Sequence, residues 1–269
     1  MSIRISDYAK INDKPSGEKL EIKASCGTSP VNSVARKTNT IPSELLKGAY
    51  GVIPFKGVST KQKASHSVSF TANPLYKINL KEVAEEGIQR LVPGSFSELV
   101  LKDQKDEWAL LNVEEMWSKI DKTDYTRCFT DNFIKEKDSR SYFVTEFVDS
   151  AKDLQDRITC LIETTNPKTV QNKDLFEIDL LQASPLIANK GNSAPIKGSG
   201  ELSLYGAVKI AKENGFKKVG LISTNNSFYE KMGFTEIEKV DPVEGSWYEL
   251  AADKFDDFLA KIAEKYNLE

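Results

Sequence analysis

The order of elements between residues 175 and 224 constrains this chain more than any other feature. LFEIDLLQASPLI (175–187) alternates like a strand and ends at Pro185. A polar loop leads to KGSG (197–200), and an apolar-periodic helix over 201–214 stops at Gly215. KKVGLIST (217–224) follows as a strand with a buried middle. Two strands joined through a helix pair in parallel, because the crossover returns the chain to the same end of the sheet. SYFVTEFVDS (141–150) and RITCLIETT (157–165) alternate as a hairpin, and FTEIEKV and SWYELAA read as two more strands. Pairing away from the crossover is therefore antiparallel.

The remaining segments fill in around that unit. SHSVSFTANPLYKINLK reads as a short strand broken at Asn73-Pro74. NVEEMWSKI and CFTDNFIKEK read as short helices, the first with Val113, Met116, Trp117 and Ile120 on one face. Residues 253–266 form an amphipathic helix whose Phe255, Phe258, Leu259 and Ile262 share a side that is expected to pack on the body. The fold class is α/β, in the α+β sense of a mixed sheet flanked by helices.

Charge divides the chain into unequal parts. Residues 1–66 carry a net charge of +6, which against a total of −3 leaves −9 for residues 67–269. The first part is rich in Ser, Thr, Asn, Pro and Gly and cannot bury enough apolar surface to offset its ordering entropy. It is expected to be a basic, disordered arm, serving as a docking tail or as a solvated leader, with 67–269 as the folded domain. The arm lacks interleaved aromatic residues and the body is acidic, so no nucleic-acid partner is expected. No apolar run reaches the ~20 residues of a membrane span, and the N-terminus lacks a signal peptide's apolar core. A cytoplasmic location is expected, with secretion by a route that reads other signals left open.

Cys26, Cys128 and Cys160 show no paired spacing, which predicts a reducing compartment and no disulfide framework. With His66 as the one histidine and no CxxC, no metal site and no histidine-activated nucleophile is expected.

Gly198 and Gly200 let the chain turn tightly and let a ligand approach main-chain amides. The first amides of the following helix lack intrahelical partners, and with the helix dipole they suit an anion such as phosphate. Lys197 adds a positive charge. The bland alternative is a flexible turn. The stretch is neither a P-loop, since GK[ST] is absent, nor a dinucleotide fingerprint, since Ser203 stands where the third glycine would fall.

Strand, KGSG, helix, strand and then Phe228-Tyr229-Glu230-Lys231-Met232-Gly233-Phe234 together resemble the GCN5-related N-acetyltransferase (GNAT) family. The resemblance covers about 95–252 and is strongest over 175–235. The chain departs from the family at Pro195, where Gln or Arg is usual, and in a longer loop before Gly198. The resemblance implies a GNAT-like central sheet. It implies acetyl-CoA as co-substrate, its diphosphate held at Lys197, Gly198, Ser199, Gly200 and Glu201. It also implies direct transfer to a primary amine of a small molecule or peptide. Strand 175–187 would splay from its neighbour, so that Leu181, Gln182 and Ala183 meet the pantetheine arm and supply an oxyanion donor. Tyr229 would protonate the leaving thiolate, the alternative being that it packs with Phe228.

Glu177 and Asp179 are the candidate bases. Alternation puts them on one face with Leu181 and Ala183, opposite Phe176, Ile178 and Leu180. The plain alternative for both is an exposed strand start. Asn225 or Asn226 would contact the pantetheine arm or else cap the short helix, and Trp247 and Tyr248 would line the acceptor pocket or belong to the core. The rival reading of the whole chain is an inactive GNAT-like interaction protein whose basic arm docks to a partner.

Overall fold

Alternating apolar and polar side chains draw out strands, and each strand finds its neighbour by burying its apolar face. The computed structural model describes residues 70, 72–83, 87–120, 125–135, 139–147, 157–188, 195–241 and 245–269. The expected arm and His66 lie outside the described residues. In chain order the elements are β1 (Asn73–Val83), β2 (Gln89–Glu98), α1 (Gln104–Ser118), α2 (Tyr125–Ile134), β3 (Arg140–Phe147) and β4 (Ile158–Thr165). They continue with β5 (Phe176–Ala183), α3 (Pro185–Ala188), β6 (Ile196–Lys197), α4 (Ser199–Glu213) and β7 (Lys218–Ser223). The last are α5 (Asn226–Lys231), β8 (Thr235–Asp241), β9 (Gly245–Ala251) and α6 (Phe255–Tyr266).

The strands form one mixed sheet in the order β6-β1-β2-β3-β4-β5-β7-β9-β8. β5 and β7 are parallel, as the crossover through α4 requires. The remaining pairs are antiparallel.

Helices cover both faces. On one, α4 lies between the sheet and α6, so it is buried almost all round, from Leu202 through Val208 without a break. Phe255, Phe258, Ile262 and Tyr266 of α6 are buried in the same core with Phe176, Ile178 and Phe96. Fully burying each apolar side chain of this kind contributes about 1.5–3 kcal/mol. On the other face α1 and α2 pack Leu110, Val113, Trp117, Phe129 and Phe133 against Tyr142, Val144, Leu161 and Leu180. Asp103 starts α1 by accepting from Lys105 N at 2.8 Å and Asp106 N at 3.3 Å, a cap worth about 1 kcal/mol.

Several expectations change. α1 is far longer than the segment NVEEMWSKI, and Ile120 is exposed rather than on its buried face. β2 and the two-residue β6 are additional strands. The 175–187 run stops at Ala183 and gives way to the short helix α3. Cys160 is a buried free thiol. Among the described residues no helix is long and apolar enough to cross a membrane.

Candidate functional site

β5 and β7 are paired only at Phe176–Val219, Glu177–Gly220 and Ile178–Leu221. Both strands continue, β5 to Ala183 and β7 to Ser223, without further pairing to each other. The two therefore part after Ile178, while β5 stays zipped to β4 as far as Ala183.

A β-bulge lies at the parting point. Glu163 faces Leu180 and Thr164 faces Ile178, so Asp179 is the extra residue on β5. Bulges of this kind end pairing and re-aim side chains. This one shifts the alternation by one residue. Phe176, Ile178 and Leu181 reach the α4 side, and Leu180 reaches the α1–α2 side. The unbroken alternation expected for this strand is corrected accordingly. Beyond the bulge, Ser184 N donates to Thr159 O on β4 at 2.9 Å. Amide directions alternate along a strand, so the N–H groups of Ala183 and Leu181 point the other way, into the gap.

The gap opens into a cleft of about 540 Å³. Leu181, Gln182 and Ala183 form one wall, and Ser223, Asn225, Phe228 and Tyr229 form another. Lys197, Gly198, Ser199, Gly200 and Glu201 close one end. Gly198 is the N-cap of α4 with φ of 91°, and no side chain caps the helix. The first main-chain bond of α4 runs from Leu202 N to Gly198 O at 2.9 Å. The amides of Ser199, Gly200 and Glu201 precede it and have no intrahelical acceptor.

The bend is fixed from outside. β6 pairs Ile196 with Glu82 and Lys197 with Lys81 of β1, and Val83 N donates to Pro195 O at 2.8 Å. A Cβ at Gly198 would overlap the Tyr266 ring, so glycine is required there twice over, by its φ and by Tyr266. Tyr266 is not among the residues lining the cleft, and it backs the bend rather than filling it. At Gly200 a Cβ would meet only Phe228 Cζ, at 3.4 Å.

Tyr229 is buried, 7% exposed, and stacks on Tyr248 with centroids 5.9 Å apart. Phe228 and Phe234 meet its ring edge-to-face. Burial raises its pKa, the nearby Cys160 adds to this and Ser223 opposes it, so the phenol stays protonated. Burial also pushes the Cys160 thiol up to about 12. Ser203 stands beside that thiol and shares a 2.7 Å hydrogen bond with Thr145.

The candidate carboxylates stand apart from this cleft. Arg140 Nη2 lies 3.0 Å from Glu177 Oε2 and 2.9 Å from Asp179 Oδ2, with all three side chains largely buried. Burial works against the Arg140 charge, but Asp179 and Glu177 outweigh it and hold its pKa up. Arg140 reaches these residues across β4, a partner that sequence spacing could not supply.

Asn225 lines the cleft, and its side chain makes no cap bond to α5. Its main-chain N–H donates to Ser223 Oγ at 2.9 Å. Asn226 is not among the lining residues. Trp247 and Tyr248 are buried in the sheet. Ile187 and Ala188 of α3 also line the cleft, and the sequence reading missed them because it placed no helix between the strand's end at Pro185 and the glycine stretch.

No family model matches the chain, and no curated protein matches it. Solved structures do resemble it. They are acetyltransferases of the GNAT type. An acetyltransferase of the GNAT family from Desulfovibrio desulfuricans is 13% identical over 59% of this chain and 99% of its own, with a TM-score of 0.42. The aminoglycoside 6'-N-acetyltransferase from Enterococcus faecium is 12% identical over 58% of this chain and 96% of its own, with a TM-score of 0.40. The catalytic domain of the Tetrahymena GCN5 histone acetyltransferase, solved with coenzyme A, is 11% identical over 61% of this chain and 96% of its own, with a TM-score of 0.40. The observed mixed sheet flanked by helices is the fold class the sequence predicts.

Proposed function

We propose that this protein is an acetyl-CoA-dependent N-acetyltransferase acting on a primary amine of a small molecule or peptide. One observation carries the reading: β5 and β7 part after Ile178 and Leu221, and the gap leads to a helix start whose amides are uncapped. An extended acyl carrier with a diphosphate has the matching pattern. The amides of Ser199, Gly200 and Glu201, with Lys197, would hold the diphosphate. The open N–H groups of Leu181 and Ala183 would pair with the pantetheine arm and face the thioester oxygen, as an added strand pairs with a free edge.

A neutral amine attacks the thioester carbonyl, giving a tetrahedral oxyanion. Its collapse breaks the C–S bond and forms the amide. Tyr229 gives its proton to the departing sulfur and recovers one from solvent, and the nitrogen releases its extra proton to water. No covalent enzyme intermediate is needed. Glu177 and Asp179, held by Arg140, are assigned no proton transfer.

The test is binding and turnover on the full chain. Millimolar acetyl-CoA should raise Tm, and Tyr229→Phe should lower turnover across an amine panel by roughly 100-fold while the Kd for acetyl-CoA stays within about twofold. An absent thermal shift, or Tyr229→Phe turnover equal to the wild type, would remove the assignment or the acid.

A further inference from the structure

A carboxylate sits at the mouth of the uncapped helix. Glu201 is the third residue of α4, counting Ser199 as the first. A glutamate at that position ordinarily turns back to cap its own helix start, and the helix dipole favours it there. If Glu201 did so it would occupy the Gly198 amide at the edge of the site the cofactor reading needs, and it would place a negative charge against a diphosphate.

In this chain Glu201 is drawn the other way. Tyr266 Oη donates to Glu201 Oε2 at 2.7 Å, and Lys265 Nζ lies 2.8 and 2.6 Å from its two oxygens. Tyr266 is 1% exposed and its ring fills the space left by the missing Gly198 Cβ. Asn79 Nδ2 holds the helix end by donating to Tyr266 O at 3.1 Å and Asn267 O at 2.9 Å. The Lys81 ammonium lies 5.2 Å from the Tyr266 ring centroid. The last turn of α6 is thus locked to β1 and aimed at one carboxylate.

We infer that Tyr266 and Lys265 form a latch that withholds Glu201 from its own helix start, keeping its carboxylate off the Gly198 amide and away from the adjoining anion-binding amides of Ser199, Gly200 and Glu201. Tyr266 is a positioning residue, since it backs the bend and does not line the cleft. The inference rests on the cofactor reading for its purpose, but the withholding of Glu201 can be measured without any ligand. It also gives α6 a task that the family resemblance, which ends near 252, does not cover. The phenol's pKa is raised, by burial first and by Glu201 next, so it remains a donor throughout the working range.

The test compares the full-length wild type, a Tyr266→Phe/Lys265→Met variant, Glu201→Ala, and the combination of all three changes. Two quantities are read: the Kd for coenzyme A by calorimetry, and hydrogen exchange of the amides from Gly198 to Glu201 without ligand. The latch-free variant should bind coenzyme A roughly fivefold to tenfold more weakly, and its Gly198 amide should exchange roughly fivefold more slowly as Glu201 caps it. Adding Glu201→Ala should abolish both effects. Simple loosening of the bend predicts the opposite sign, faster exchange, and a binding loss that persists with Glu201→Ala; either result overturns the latch. Unchanged binding and exchange in the latch-free variant overturn it as well. If the wild type binds no coenzyme A, the cofactor reading falls and exchange alone decides the latch: slowing that Glu201→Ala removes sustains it, and its absence ends it.

Discussion

Gly198 and Gly200 are one residue apart and do different work. Gly198 has a positive φ and the Tyr266 ring against it. An alanine there combines left-handed strain of about 1–2 kcal/mol with an overlap of about 1–3 kcal/mol. Gly200 has neither constraint, and its missing side chain leaves room on the cleft side near Phe228. Gly198→Ala should therefore lower Tm by roughly 5–10 °C. Gly200→Leu should leave Tm nearly unchanged and weaken acetyl-CoA binding at least about tenfold, because its side chain must enter the cleft. Thermal melts and calorimetry on the two variants separate the roles, and a Gly200→Leu protein with wild-type affinity would count against the diphosphate site. The sequence showed both glycines but not their division of labour, since Tyr266 is 68 positions beyond Gly198 in the chain.

Among the elements, those with a local signal were legible and those defined by a partner were not. The β3–β4 hairpin, the parallel crossover and the buried face of α6 follow from periodicity in single segments. β2 hid because Pro93 and Gly94 interrupt it. Proline is tolerated at a position that is not asked to donate a ladder bond, and among the described residues β3 pairs with β2 only from Gly94 onward. The Asp179 bulge hid because it is a mismatch between two strands. With it hid the reason for Glu177 and Asp179, which is Arg140 on β3 reaching over β4 to β5. Removing the guanidinium takes from two buried carboxylates the cation between them, at a cost of about 3–5 kcal/mol. Arg140→Ala should lower Tm by roughly 10 °C or more, whereas Glu177→Gln, with Asp179 still paired, should fall less and should retain turnover. If Glu177→Gln instead abolished turnover with Tm intact, Glu177 would regain a place in the proton transfers.

For the whole molecule, buried weak acids set an alkaline limit. Burial leads the causes that raise Tyr229, Tyr266 and the half-buried Tyr76 above the ordinary phenol range, and Cys160 is pushed to about 12. In the unfolded chain the thiol ionises near ~8.5 and the phenols near ~10. Above those values the unfolded state binds fewer protons than the folded state, so stability falls as pH rises. The contribution is intact below about pH 8.5 and is lost progressively through the folded-state values. Tm should be level from pH 7 to about 8.5, decline gently to about 10 through Cys160, and decline more steeply beyond it as the phenols join. Absorbance near 295 nm should show these phenols ionising only with unfolding. Tyr229 then remains a proton donor for as long as the protein is folded, and turnover at high pH should end with loss of structure. An activity profile falling near pH 10 while Tm stays level would mean that the acid titrates in the native protein, and Tyr229 as placed here could not be that acid.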